Sequence, residues 1–384
     1  MNINGYVITE ELKSENSGFS KWGFATKDGV EYFIKELINP VYPVDKTAMS
    51  AEMFSEKIAY CTNYENRFKT YYEKINRASR GNLVRINEFF RCDSRYYLVT
   101  EKIGGKGLSM EEISALDNDK KNILMRAAAY CFYDLHYAGI VHSDVKPNNI
   151  LVKKTKRGNY VAKLIDFDSG FFKDESIEGE DLVGDLTYLP PETFLAMYGE
   201  DVHPDEKADI FSLGLVFHEY YCGKLPKYNE EEYYYPFESV LDGEALELEK
   251  GLPEKIEALI TAMVDADPKK RPSAEEVILK LNELIPNFAM SVGEDTMGDK
   301  ERFEMRTEYI GAVDRRTGTV RTGGSSGSTL RISSSFKTGE YRSASETMAT
   351  PTYSSGTGTP ASAPAKTAEP AKKADAWFKT AGDL

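Results

Sequence analysis

Residues 141–152, VHSDVKPNNILV, set a carboxylate, an ammonium, two carboxamides and an imidazole between apolar flanks. A loop of the form H-x-D-x-K-P-x-N can hold a carboxylate, a lysine and an acceptor amide in fixed mutual positions while its apolar ends anchor it. Phosphoryl transfer asks for that set. Asp144 would orient an attacking hydroxyl, Lys146 would offset charge on the transferring group, and Asn149 would give an oxygen to Mg²⁺. A further carboxylate, Asp166, closes an apolar run in LIDFD, residues 164–168.

Such groups need a scaffold. Residues 1–100 read as short β-rich runs, GYVIT, KWGFAT, EYFIKEL, LVRINEFF and YYLVTEKI, interrupted by one polar helical stretch around 46–78. This pattern predicts a small antiparallel sheet with one long helix. From about residue 109 the periodicity turns helical: Ser109 and Glu112 have capping-box spacing, and Leu124, Ala128, Cys131 and Leu135 recur on one face until Gly139. The change of character puts a lobe boundary near Gly104–Gly105. After the polar loop, ILVKKTKRGNYVAKLIDF reads as a hairpin, and helices resume at PPETFLAMYG, DIFSLGLVFHEYYCG and PSAEEVILKLNELI.

Order is expected to end near residue 288. Residues 317–367 hold 22 Ser/Thr in 51 positions with few large apolar groups, too few to offset ordering entropy, and are predicted to be disordered. The last ten residues, DAWFKTAGDL, read as a frayed end or a short docking peptide.

Composition narrows the function classes. A hydrophobic fraction of 41% is that of a globular protein, and a formal net charge of −14 argues against general affinity for nucleic acid or anionic membrane. Residues 315–384 carry 10 Lys/Arg and 5 Asp/Glu, so the tail is near +5 and the body near −19. Four widely spaced cysteines without a C-x-x-C pair suggest neither a disulfide framework nor a zinc site, and fit a reducing cytosol. MNINGYVITEELKSEN lacks the succession of a signal peptide, and the longest apolar run is too short for a bilayer, so a soluble, cytoplasmic protein is expected.

HSDVKPNN followed by LIDFD resembles the catalytic loop and metal-binding segment of the eukaryotic-like (Hanks-type) serine/threonine protein kinases, and the resemblance spans roughly residues 5–288. It implies an α+β, bilobal protein-kinase-like fold: a small β-rich lobe with one main helix over 1–103, a larger helical lobe over 104–288, an unassigned extension over 289–316 and a disordered Ser/Thr-rich tail over 317–384. It also implies ATP and Mg²⁺ as cofactors. Lys35 in YFIKEL matches the lysine that pairs with the α- and β-phosphates, Asp144 the catalytic aspartate, Lys146 the loop lysine of the Ser/Thr type, Asn149 and Asp166 the metal ligands. YYLVTEKIGG resembles the hinge, with Thr100 as gatekeeper and the backbones of Glu101 and Ile103 facing adenine. GDLTYLPPE implies that Glu192 pairs with Arg271, and DIFSLG that Asp209 holds the catalytic-loop backbone.

The resemblance has gaps. The glycine-rich loop is reduced to SENSGFSKWGFA, in which aligning Trp22 with the family's valine leaves Gly18 alone to approach phosphate. The glutamate expected to hold Lys35 is taken as Glu65, which heads a stripe with Phe68, Tyr72 and Ile75; Glu73, Glu56 and Glu52 are alternatives. Ser143 replaces the arginine that would receive an activation-segment phosphate, so activity is expected not to need phosphorylation there. Asp168 replaces the glycine of D-F-G, as an extra ligand or as a brake on the segment's flip, and Asp185 replaces the threonine that helps define hydroxyl acceptors.

The expected function is therefore transfer of the ATP γ-phosphoryl group to Ser/Thr hydroxyls of protein substrates, the chain's own tail among them, with no nucleic-acid or membrane partner. A pseudokinase scaffold is the alternative that the poor glycine loop and Asp168 favour, and a small-molecule kinase ranks behind it because D-x-K-P and P-E are both present.

Overall fold

Eight residues of alternating character, Val30–Leu37, make the strand that carries Lys35, and the rest of the small lobe is built around it. The computed structural model describes residues 1–14, 20–104, 107–155, 160–175, 177 and 179–285. Gly18 of the predicted nucleotide loop, the tip of the predicted hairpin, the 289–316 extension and the 317–384 tail all lie outside the described residues.

Among the described residues six strands form one antiparallel sheet: β1 (Asn2–Ile3), β2 (Tyr6–Ile8), β3 (Ser20–Lys27), β4 (Val30–Leu37), β5 (Ile86–Cys92) and β6 (Arg95–Glu101), in the order β1-β2-β3-β4-β6-β5. In the β3–β4 register Trp22 lies opposite Lys35 and Phe24 opposite Phe33. Because side chains alternate along a strand, these four share one face.

The helix predicted around 46–78 is α1 (Ala51–Ala78), started by Ser50, whose hydroxyl accepts the Met53 N–H at 3.2 Å. It buries Cys61, Phe68, Tyr71, Tyr72 and Ile75. With Tyr64, Phe89 and Tyr96 they form an aromatic layer whose neighbouring ring centroids stand 4.5 to 6.4 Å apart.

The chain then passes to α2 (Met110–Ser114), which carries the capping box of Ser109 and Glu112, and α3 (Asn118–Tyr137), started by Asp117. α3 is buried more fully than its single predicted face: Met125, Ala127, Ala129 and Phe132 are as inaccessible as Leu124, Ala128, Cys131 and Leu135. It is the central post of the large lobe. β7 (Ile140–Val141) pairs with β10 (Phe171–Phe172), and β8 (Ile150–Lys154) with β9 (Tyr160–Leu164), before α4 (Pro191–Met197) and α5 (Glu206–Cys222). Gly223, at φ +72°, ends α5 in the left-handed conformation that glycine adopts without strain. α6 (Pro236–Leu241), α7 (Glu254–Met263) and α8 (Ala274–Asn282) complete the lobe, the last started by the Ser273–Glu276 capping box.

Two strips of backbone join the lobes. One is the segment after β6. The other is residues 82–84, where the Val84 N–H donates to Leu164 C=O and the Leu164 N–H donates to Asn82 C=O, both at 2.8 Å. Among the described residues no helix is long and apolar enough to cross a membrane.

Candidate active site

The β8–β9 hairpin does the first piece of positioning. Its register pairs Ile150 with Leu164, and one step further the Ile165 N–H donates to Asn149 C=O at 2.9 Å. Two residues fifteen or more positions apart in sequence, Asn149 and Asp166, are thereby set at the same end of one ladder.

Within the loop Asp144 is held at both oxygens. Oδ2 accepts from Asn149 Nδ2 at 2.9 Å and lies 2.9 Å from Lys146 Nζ, while Oδ1 accepts from the Asp185 N–H at 3.1 Å. With its amide nitrogen spent on Asp144, Asn149 turns its carbonyl oxygen away as an acceptor. Lys146 also approaches Asp185 at 3.6 Å. Burial works against its charge, but Asp144 and Asp185 outweigh burial and raise its pKa.

The loop backbone is fixed from α5. Asp209 accepts the His142 and Ser143 N–H groups, each at 2.9 Å, and meets His136 Nε2 at 2.8 Å. This holds Ser143 at φ +69°, a conformation that a non-glycine residue keeps only when its surroundings enforce it. The Ser143 hydroxyl donates to Val183 C=O at 3.2 Å. Farther out Glu192 and Arg271 form a buried fork of 2.5 and 2.8 Å that ties α4 to the turn before α8.

The roof differs from expectation at one contact. Lys35 Nζ lies 2.6 Å from Asp166 Oδ1 and 2.7 Å from Asp168 Oδ2. Glu65 instead bonds Lys69, one turn along α1, at 2.5 Å, and the alternative Glu73 bonds Arg77 at 3.2 Å. Glu52 and Glu56 are exposed near the helix start. The physical reason is the register of α1: the face turned to the sheet is the aromatic layer, and Glu65 falls beside that face rather than on it.

Burial disfavours charge on all three partners, and the outcome differs by neighbour. Asp168 and Asp166 outweigh burial at Lys35 and hold its pKa above the ordinary value. At Asp166 the lysine outweighs burial and lowers the pKa; at Asp168 burial and the neighbouring Asp166 charge prevail and raise it. Asp168 Oδ1 is buried without a hydrogen-bond partner among the described residues.

Beside these groups lies an apolar slot of about 260 Å³, lined by Phe24, Phe33, Val84, Leu98, Leu151 and Ile165, with Thr100, Glu101 and Ile103 along its edge. Thr100 is buried on β6 between Phe33 and Ile86. Glu101 spends its side chain on the Arg85 N–H at 2.9 Å and on Lys163. The lining by Phe24, Phe33 and Leu151 was not anticipated, although the alternation that puts Phe24 and Phe33 beside Lys35 is present in KWGFAT and EYFIKEL. Trp22 stacks on Phe33 at 5.9 Å.

The protein kinase domain model matches residues 53–280, more than half of the chain. The chain belongs to the protein kinase family. It is 39% identical over 145 residues to the Wee1-like protein kinase of Oryza sativa subsp. japonica, covering 38% of this chain and 25% of that one. It is 26% identical over 282 residues to calcium-dependent protein kinase 27 of Arabidopsis thaliana, covering 71% of this chain and 53% of the relative. The chain thus spans from about a quarter to about half of the length of these curated relatives. The matched residues begin inside α1, so this kinase domain's Lys35 and its strands β1 to β4 lie ahead of the matched region.

Proposed function

We propose that the protein is a serine/threonine protein kinase that transfers the γ-phosphoryl group of Mg²⁺-ATP to protein hydroxyls. The observation that carries this reading is Asp144, a carboxylate fixed at both oxygens by Asn149, Lys146 and the Asp185 amide at the mouth of the cleft that Lys35 and Asp166 share. An attacking hydroxyl beside Asp144 would be oriented by it, and Lys146 would offset charge on the group in transit. The relatives named as protein kinases support a protein acceptor, and Lys146 supports the Ser/Thr type.

The donor set fits the cofactors. Asp166 and Asn149 offer hard oxygen ligands, and Mg²⁺ is commonly held by one or two protein oxygens together with substrate phosphates. The flat apolar slot with backbone groups at its edge suits a purine, and Lys35 suits the phosphates. When bound, the metal would neutralise charge on the transferring phosphoryl group. The tail, rich in Ser/Thr and mildly basic, is a candidate substrate for the acidic body. A cytoplasmic location is supported by the free thiols of Cys61, Cys92, Cys131 and Cys222.

The test is intact-mass spectrometry after incubation with Mg²⁺ and ATP, with and without a generic protein acceptor. Gains of whole phosphate units in wild type, absent in Asp144→Asn and Asp166→Asn, are expected, with fragment mapping to show whether the tail is modified. No gain on any acceptor would leave the scaffold reading.

A further inference from the structure

Lys35 is 12% exposed at its side chain, and an ammonium so far from water needs partners. In the structure both partners come from one three-residue stretch. Asp166 and Asp168 both turn a carboxylate toward Lys35, Asp166 from a left-handed backbone at φ +62°, and the Phe167 ring between them is 2% exposed and 5.5 Å from the His142 ring. The opposite wall, the inward face of α1, presents Tyr64, Phe68, Tyr71 and Tyr72. That face offers rings and tyrosine hydroxyls but no carboxylate to pair with the ammonium.

We propose that Asp168 is the positioning residue for Lys35, doing from the 166–168 segment what a glutamate on α1 was expected to do. The division of labour follows from the two distances. Asp166 is free to turn to a cation, because the 2.7 Å bond from Asp168 continues to hold the lysine. α1 acts on the site only indirectly. The Tyr71 hydroxyl donates to Phe167 C=O at 3.2 Å and stands 1.9 Å from where a Cβ on Gly170 would be, so the helix braces the segment that carries Asp168. The placement of the lysine is thereby joined to the placement of its neighbour Asp166, and no charged contact from α1 is required.

The catalytic consequence rests on the kinase reading, so the test has one arm that does not. In the nucleotide-free protein, Lys35 is labelled with an amine-directed acylating reagent and the rate read from the mass of its peptide. Asp168→Asn, which keeps size and backbone, is expected to speed labelling about threefold or more, because one of two charge-assisted partners is gone. Glu65→Gln is expected to leave the rate within about a factor of two, the residue being bonded to Lys69 on the helix surface. Equal rates in wild type and Asp168→Asn, or a larger change in Glu65→Gln, would overturn the proposal.

The second arm is steady-state phosphoryl transfer by the same variants and by Asp168→Gly, which restores the family's own residue and guards against misfolding. A misplaced lysine is expected to lower kcat about tenfold to a hundredfold while KM for ATP moves about threefold or less. An undiminished kcat in both Asp168 variants would overturn the proposal, as would a loss that raised Mg²⁺ removes, which would make Asp168 a metal ligand instead. Failure of wild type to transfer phosphate would defeat the kinase reading alone, and the labelling arm would still decide the role of Asp168.

Discussion

Below the cleft, charge is held by charge and by peptide N–H groups. Asp144 is fixed by Lys146, Asn149 and Asp185, Asp209 holds two amides of the same loop, and Arg271 grips Glu192 in a buried site. Above the cleft, Lys35 shares a strand face with Trp22, Phe24 and Phe33, and the helix over it offers rings. In both regions charge meets charge, but Lys35 takes its partners, Asp166 and Asp168, from the segment below rather than from its own lobe's helix. In the large lobe the polar partners are fixed by motif spacing, since Asp144, Lys146 and Asn149 lie within six residues. In the small lobe the outcome depends on which face a 28-residue helix turns to a strand that precedes it by many residues, and a packing choice of that kind is decided by total ring volume rather than by any short motif.

If the large lobe is held by buried charge, removing one member of its central pair must be costly. Arg271→Ala leaves the Glu192 carboxylate buried, and a loss of about 3–5 kcal/mol in urea-unfolding stability is expected. The double change Glu192→Gln with Arg271→Met, which leaves no unpaired charge, is expected to lose less. A loss below about 1 kcal/mol in Arg271→Ala would erase the contrast between the lobes.

Asp134 sharpens the comparison at the seam. It lies on α3 with its side chain 1% exposed, its only ion-pair contact the 3.4 Å approach of Arg80, in the segment leading from α1 to β5, and its Oδ2 has no partner among the described residues. Burial, only partly offset by Arg80, raises its pKa from 3.8 to about 6. A carboxyl whose folded pKa is raised stabilises the protein fully below its unfolded value and loses that contribution as pH climbs through the folded one. Asp134→Asn is therefore expected to be more stable than wild type at pH 8 by about 1–3 kcal/mol, with the advantage fading as pH falls from about 6 and gone below about pH 4. Thermal unfolding across that range measures it; a pH-independent difference would mean that the charge is not what is strained there.

These two sites also mark what the sequence made legible. The catalytic loop and its Asp166 partner were readable because they rest on a local turn and on a hairpin whose register follows from alternation, whereas the α5 aspartate and the Glu192–Arg271 fork join distant segments and were implied by the family resemblance alone. The lysine's partner was not readable. Glu65, Phe68, Tyr72 and Ile75 have helical spacing, but so do Cys61, Phe68, Tyr71 and Ile75; the helix buries Phe68, Tyr71, Tyr72 and Ile75 with Cys61 and leaves Glu65 half-buried at the margin. The second carboxylate of D-F-D was the signal that could have named Asp168, had the glycine it replaces not drawn attention to flexibility. Asp134 gave no signal at all, since a lone aspartate in a helical run reads as solvated until the neighbouring helices are in place.

The smallest expected effect concerns the bond that links α1 to the segment after Asp166. Arg67 forks onto Glu175 at 2.7 and 2.9 Å, with both side chains one-third exposed. Glu175 supplies a permanent carboxylate to a segment whose phosphorylation is expected not to be needed, since Ser143 stands where a phosphate-receiving arginine would be. Being partly in solvent, the pair is screened, and a double-mutant cycle with Arg67→Ala and Glu175→Gln is expected to give a coupling of about 0.3–1 kcal/mol, shrinking in about 1 M salt. If phosphoryl transfer also falls by no more than about threefold in either variant, α1 is held by its rings and the pair only trims its position. A coupling as large as the loss in Arg271→Ala would instead place the small lobe under the same charge-based control as the large one, and the division between roof and floor would fail.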